Sequence, residues 1–151
     1  MSITLPTNIP SGERRTVRVD FTPARPSTVP AVLLGAARII QANGLWQGDY
    51  VPDAFDREIS AAEVPHAHRP MSIVAALRCA ATGNPHLHPV LVDEAICFLA
   101  VRLEVDGEGP EYGDIFALEQ HVDDWTDVPG RTADEAVALL EMVATAPECA
   151  A

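Results

Sequence analysis

Two His-x-His pairs are the first residues whose type and spacing suggest chemistry: His66-Ala67-His68 and His86-Leu87-His88. Neutral imidazole is a good ligand for zinc or iron. Two rings in such a pair can face one ion where the backbone is extended, and both pairs lie in loops flanked by proline. The segment between them predicts a helix of about 12 residues, about 18 Å long at 1.5 Å per residue. The pairs should therefore sit at opposite ends of that helix, which argues against a shared metal. Solvent-exposed loop histidines are the ordinary alternative. His121 is the fifth histidine, with Asp124 three residues on. With Asp93 or Glu94 it would make an acid–base cluster; the plain alternative is the polar face of a surface helix.

Other chemistries lack their residues. The chain has no lysine, and all 10 of its basic residues are arginine. That excludes Walker-A ATPases, Schiff-base enzymes and Ser-Lys hydrolases, each of which needs an ammonium group. No Gly-x-Ser-x-Gly elbow and no glycine-rich phosphate loop occurs. Cys79, Cys97 and Cys149 are scattered, and the apolar runs around the first two mark them as buried small hydrophobes. No disulfide framework is expected from an odd count without a secretory signal.

The most distinctive stretch is Asp123-Asp124-Trp125-Thr126-Asp127-Val128-Pro129-Gly130-Arg131-Thr132. It is a helix end, a Pro-Gly turn and a helix start. One reading is a corner lock, with Trp125 as the wedge and Asp127 bound either to free amides of the last helix or to Arg131. The other is a binding surface lined by Trp125, Asp127 and Arg131, to which the exposed aromatics Trp46 and Tyr50 would add anchors.

The elements that must position these residues are mostly helices. Residues 1–28 are broken by Pro6, Pro10, Pro23 and Pro26 and read as an extended arm, with a short strand or half a hairpin over 16–21 from the alternation of Val17, Val19 and Phe21. Residues 29–147 read as one helical domain, and 148–151 as a tail. The first helix is capped by Ser27 or Thr28, carries Pro30 in its first turn and stops at Asn43-Gly44. Residues 45–70 are irregular, although Ser60-Ala61-Ala62-Glu63 resembles a capping box. A second helix is predicted over 71–82. A third, over about 89–105, has Val90, Val92, Ala95, Ile96, Leu99, Val101 and Leu103 as its face and reads as the central buried helix. A fourth spans about 112–125, anchored by Ile115, Phe116, Leu118, Val122 and Trp125. The last opens on the capping box Thr132-Ala133-Asp134-Glu135, followed by Ala136, Val137, Leu140, Val143 and Ala144. The expected fold is mainly α: an antiparallel bundle of about five helices with an N-terminal arm or short β-hairpin.

Composition agrees with a soluble globular domain: 151 residues, 48% hydrophobic and 21% charged. The net charge of −12 repels phosphate backbones, so direct nucleic-acid binding is disfavoured. No apolar run reaches the roughly 18 residues of a membrane span, so no membrane partner is expected and a reducing cytoplasm is the expected location.

Three segments together resemble a known family: AARIIQANGLWQGDY, IVAALRCAATG and WTDVPGRTADEAVALLEMVA. The family consists of small helical proteins of actinomycetes and their phages and is catalogued as a domain of unknown function. Its recurrent element is a Trp-Asn-Asp-like corner before a last helix that begins Thr-x-x-Glu-Val. Here the corner is Trp125-Thr126-Asp127, with threonine in place of asparagine, and Ala136 separates Glu135 from Val137. The resemblance spans about residues 30–147. It implies a helical fold with the same part-irregular layout, and no activity.

The expected function is a small non-enzymatic protein-interaction or regulatory module, with no cofactor and an unidentified protein partner. Its surface would use Trp46, Tyr50, Trp125, Asp127 and Arg131. A metal-dependent enzyme or metal-binding protein using His66, His68, His86, His88 or His121 is one alternative. An acidic inhibitor that mimics nucleic acid toward a basic partner is another. Homo-oligomerisation is left open.

Overall fold

The computed structural model describes residues 25–48, 68–111 and 113–150. The strand expected over 16–21, the capping box at Ser60–Glu63, and the candidates Tyr50 and His66 lie outside them. Over the described residues the protein is a mainly α bundle of five helices plus a terminal turn: α1 (Val29–Asn43), α2 (Ile73–Thr82), α3 (Val90–Ala100), α4 (Ile115–Thr126), α5 (Ala133–Ala144) and α6 (Pro147–Ala150).

Local signals set the helix starts. The side chains of Thr28, Ser72, Asp114 and Thr132 each accept an N–H three residues on, satisfying one of the first-turn amides that a helix leaves without a partner. At α5 the capping box is complete, with the Thr132 N–H donating to Glu135 Oε1 at 2.9 Å. Gly83 ends α2 in the left-handed conformation, φ +82°.

α1 is the hub. It packs chiefly on α5 and α2, and also touches α3 and α6. Val32, Leu33, Ala36 and Ile40 are its fully buried face. Gly35 sits mid-helix, where glycine costs about 1 kcal/mol against alanine. Its place is explained by α2, because a Cβ there would lie 3.0 Å from the Ala80 Cβ. A largely buried ion pair, Arg78 Nη2 to Glu119 Oε1 at 2.7 Å, ties α2 to α4.

Several expectations need correction. α3 ends at Ala100, five residues before the expected Val105. The chain tightens there through i to i−3 hydrogen bonds, Arg102 N–H to Leu99 O and Leu103 N–H to Ala100 O. It then reverses at Asp106-Gly107, both at positive φ (55° and 81°), between the mutually bonded Val105 and Glu108. Val90 and Val101, expected inward, are 74% and 47% exposed, and Cys97, expected in the core, is exposed too. The helical period explains all three. The buried residues Val92, Ala95, Ile96 and Leu99 define one face, and Val90, Cys97 and Val101 lie opposite at i, i+7 and i+11. The expected central helix is thus α1 in its most extensive packing, and α3 is open on one side. Phe116 on α4 is likewise exposed, one residue off the stripe of Ile115, Leu118 and Val122.

Candidate functional site

The corner between α4 and α5 is where sequence and structure meet most closely. Trp125 is in the last turn of α4, and Asp127 caps that helix, its N–H donating to Asp123 O at 2.8 Å. Gly130, at φ +86°, turns the chain so that Arg131 folds back. The Arg131 guanidinium lies 3.6 Å from the centroid of the Trp125 ring, and its Nε donates to Trp125 O at 3.0 Å. Nη1 is 3.7 Å from Glu135 Oε2. One arginine thereby stacks on the tryptophan, holds the last turn of α4 and reaches the first turn of α5.

A second segment is strapped onto the same corner from far away in sequence. Gln47 Nε2 donates to both Thr126 O (3.0 Å) and Val128 O (2.9 Å). The Gly48 N–H donates to Asp127 Oδ1 at 2.8 Å. The Trp46 N–H donates to Met71 O at 2.9 Å, which anchors the strap to the start of α2. Asp127 therefore serves this strap rather than the amides of α5, and Arg131 pairs with Glu135 rather than with Asp127. Thr126, where the family resemblance led to asparagine, is fully buried and turns its hydroxyl to Val122 O at 2.9 Å. Trp125 is half-buried, whereas Trp46 is exposed at the edge of the strap. Neither Gln47 nor Gly48 carried a sequence signal, because their partners lie 79 to 81 residues away.

The four described histidines do not converge. His68 precedes α2, while His86 and His88 follow it; all three are exposed. Among the described residues no three His, Cys, Asp or Glu side chains come together as a metal site. His121 is buried on α4, its Nε2 2.7 Å from Leu103 O. A carbonyl only accepts, so the His121 Nε2 carries a proton and donates it to Leu103 O. His121 lines a cleft of about 320 Å³ together with Glu108, Glu111, Gln120 and Asp124. Asp93 and Glu94, expected beside it, do not line this cleft. Asp124 accepts from Gln120 Nε2 at 2.7 Å rather than from the histidine.

A surface the sequence did not single out runs along α3. Val90, Glu94, Cys97 and Val101 are all exposed and follow one another at spacings of three or four residues, and exposed Leu87 lies in the loop just ahead of the helix. The four positions from Val90 to Val101 form one stripe, apolar except for Glu94. Residual burial and then the carboxylates of Asp93 and Glu94 push the Cys97 thiol above the usual thiol range.

A family model described as a family of unknown function, DUF6197, matches residues 24–146. The chain belongs to this DUF6197 family. No curated protein and no solved structure matches it. The matched span takes in the whole DUF6197 corner, the Gln47 strap and all five long helices. It also takes in Arg25 and Pro26, just ahead of α1. No helix among the described residues of this DUF6197 member is long and apolar enough to cross a membrane.

Proposed function

We propose that the protein is an acidic protein-binding module that takes up a basic amphipathic segment of a partner along the open face of α3. The exposed stripe Val90, Cys97 and Val101 carries this reading. Bundle helices normally turn such residues inward, and a solvated apolar stripe is the kind of surface that an amphipathic helix covers at i, i+3, i+4 and i+7 spacing. Charge chooses the partner. Glu94 lies within the stripe, Asp93 is beside it, and the chain carries a net −12. A second copy of the same charge is repelled, whereas an arginine- or lysine-flanked apolar segment is attracted. The corner takes a different part. Trp125, Asp127 and Arg131 are engaged with one another's elements and hold the scaffold, while Trp46, exposed at the edge of the strap, adds an aromatic to the surface there.

The test uses the full chain as bait in an extract of its native host, alongside a synthetic amphipathic peptide bearing arginines on its polar face. Val90→Asp and Val101→Asp, both at exposed positions, should keep the wild-type melt and lose capture of both. Binding should also weaken steeply toward about 1 M salt, where the screening length is only about 3 Å. Capture that survives both substitutions, or that strengthens with salt, would sink the proposal.

A further inference from the structure

Two of the described arginines, Arg25 and Arg38, share one cleft. Arg78 is paired with Glu119 and Arg131 with Glu135. Acidic residues outnumber arginines 22 to 10, yet Arg25 and Arg38 pair with no carboxylate among the described residues. Both line the same cleft, of about 380 Å³. That volume is at the small end of the roughly 300–1,000 Å³ typical of ligand pockets.

Its walls follow from the packing. Ala31, Leu34, Gly35 and Arg38 are one stripe of α1 at i, i+3, i+4 and i+7. Ala80 of α2 and Pro26, at the entry to α1, complete it. The bare Gly35 lets α1 and α2 approach closely, so the floor is small and apolar. Arg25 lies against the end of α2. A Cβ on Gly83 would lie 2.6 Å from its Nη2, the mobile tip of the side chain. The Arg25 charge is felt by Cys79 in the last turn of that helix: burial pushes the thiol up and the guanidinium pulls it back. The cleft thus combines an apolar floor with two cations that pair with no carboxylate among the described residues, on a molecule whose overall field repels anions.

We propose that this cleft binds a small organic anion, an apolar body carrying a carboxylate or phosphate head, with the head at Arg25 and Arg38 and the body along Leu34 and Ala80. Guanidinium groups suit either head because their paired N–H donors match two oxygens at once. The site uses none of the residues of the α3 stripe, so it stands or falls independently of the partner proposed above.

Amide-shift titration of the full chain tests it with four probes: octanoate, octyl phosphate, octanol and inorganic phosphate. Octanoate or octyl phosphate should shift amides of residues 31–38 and 80–83 saturably, and the tighter of the two identifies the head. Octanol, which lacks the charge, and inorganic phosphate, which lacks the body, should each bind about tenfold more weakly or worse, in line with the loss of a charged hydrogen bond or of apolar burial. Arg38→Gln and Arg25→Gln should each weaken the anion by about tenfold. Arg38 is the decisive position if Arg25→Gln disturbs the end of α2. Equal binding of octanol and octanoate, affinity unchanged by Arg38→Gln, or no saturable shift with any probe would overturn the proposal.

Discussion

At the scale of single residues, chemistry and stability can be forecast with a sign. Cys97 is exposed, yet its thiol is held above the ordinary range by residual burial and then by Asp93 and Glu94. The thiolate is the nucleophile, so a raised pKa slows alkylation at neutral pH. Iodoacetamide should therefore modify Cys97 more slowly than an unfolded peptide thiol at about pH 7.5, below the usual thiol pKa. Its rate should go on rising where the peptide's levels off, and Glu94→Gln should narrow the gap. A pH–rate profile by mass spectrometry that coincides with the peptide's would contradict this. Cys79 is buried, and burial raises its thiol pKa. The unfolded chain then ionises first as pH rises, so this residue's contribution to stability is complete below the ordinary thiol pKa and declines above it. The Thr132 cap is simpler. Thr132→Ala removes the acceptor for the Glu135 N–H and should cost about 1 kcal/mol, measured by denaturant unfolding.

At the scale of elements, the sequence disclosed what is written within one turn and missed what is written across the fold. The cap at Thr132 depends on a neighbour three residues away and is where the pattern put it, and of Ser27 and Thr28, both legible as caps for α1, it is Thr28 that serves. The face of α3 was misjudged because Val90, Cys97 and Val101 are as apolar as the residues opposite them. Periodicity cannot choose a side on a helix that is apolar all round. Trp125, Asp127 and Arg131 were legible as a corner, but the strap from Gln47 and Gly48 was not, since two polar groups 79 residues apart leave no local trace. The corner predicts its own energetics. Arg131→Lys keeps the charge but loses both the planar stack on Trp125 and the Nε bond to its carbonyl, and should cost about 1–2 kcal/mol. Gln47→Ala leaves the Thr126 and Val128 carbonyls without that donor, at a similar cost of about 1–2 kcal/mol. Because both substitutions loosen one turn, their effects should fall short of additive; strict additivity would show that the strap and the stack are independent.

At the scale of the whole molecule, the charge of −12 bears on the fold as well as on its partners. Few cations are spread through it to offset the acids. Two of the described arginines are bound up in ion pairs, while Arg25 and Arg38 stand together at one cleft. Self-repulsion of the remaining carboxylates opposes compaction, because unfolding moves like charges apart. Screening should relieve it. Sodium chloride raised from about 0.01 M to about 0.15 M shortens the screening length from about 30 Å to about 8 Å, less than the span of the bundle, and should raise the melting temperature. Chloride is the appropriate salt, since sulfate would also strengthen apolar burial and confound the cause. The Arg78–Glu119 pair acts in the opposite sense but is largely buried, so salt should weaken it little. A melting temperature that falls as chloride is added would mean that specific ion pairs outweigh the net repulsion. The bundle would then be held together by its few arginines rather than in spite of its many acids.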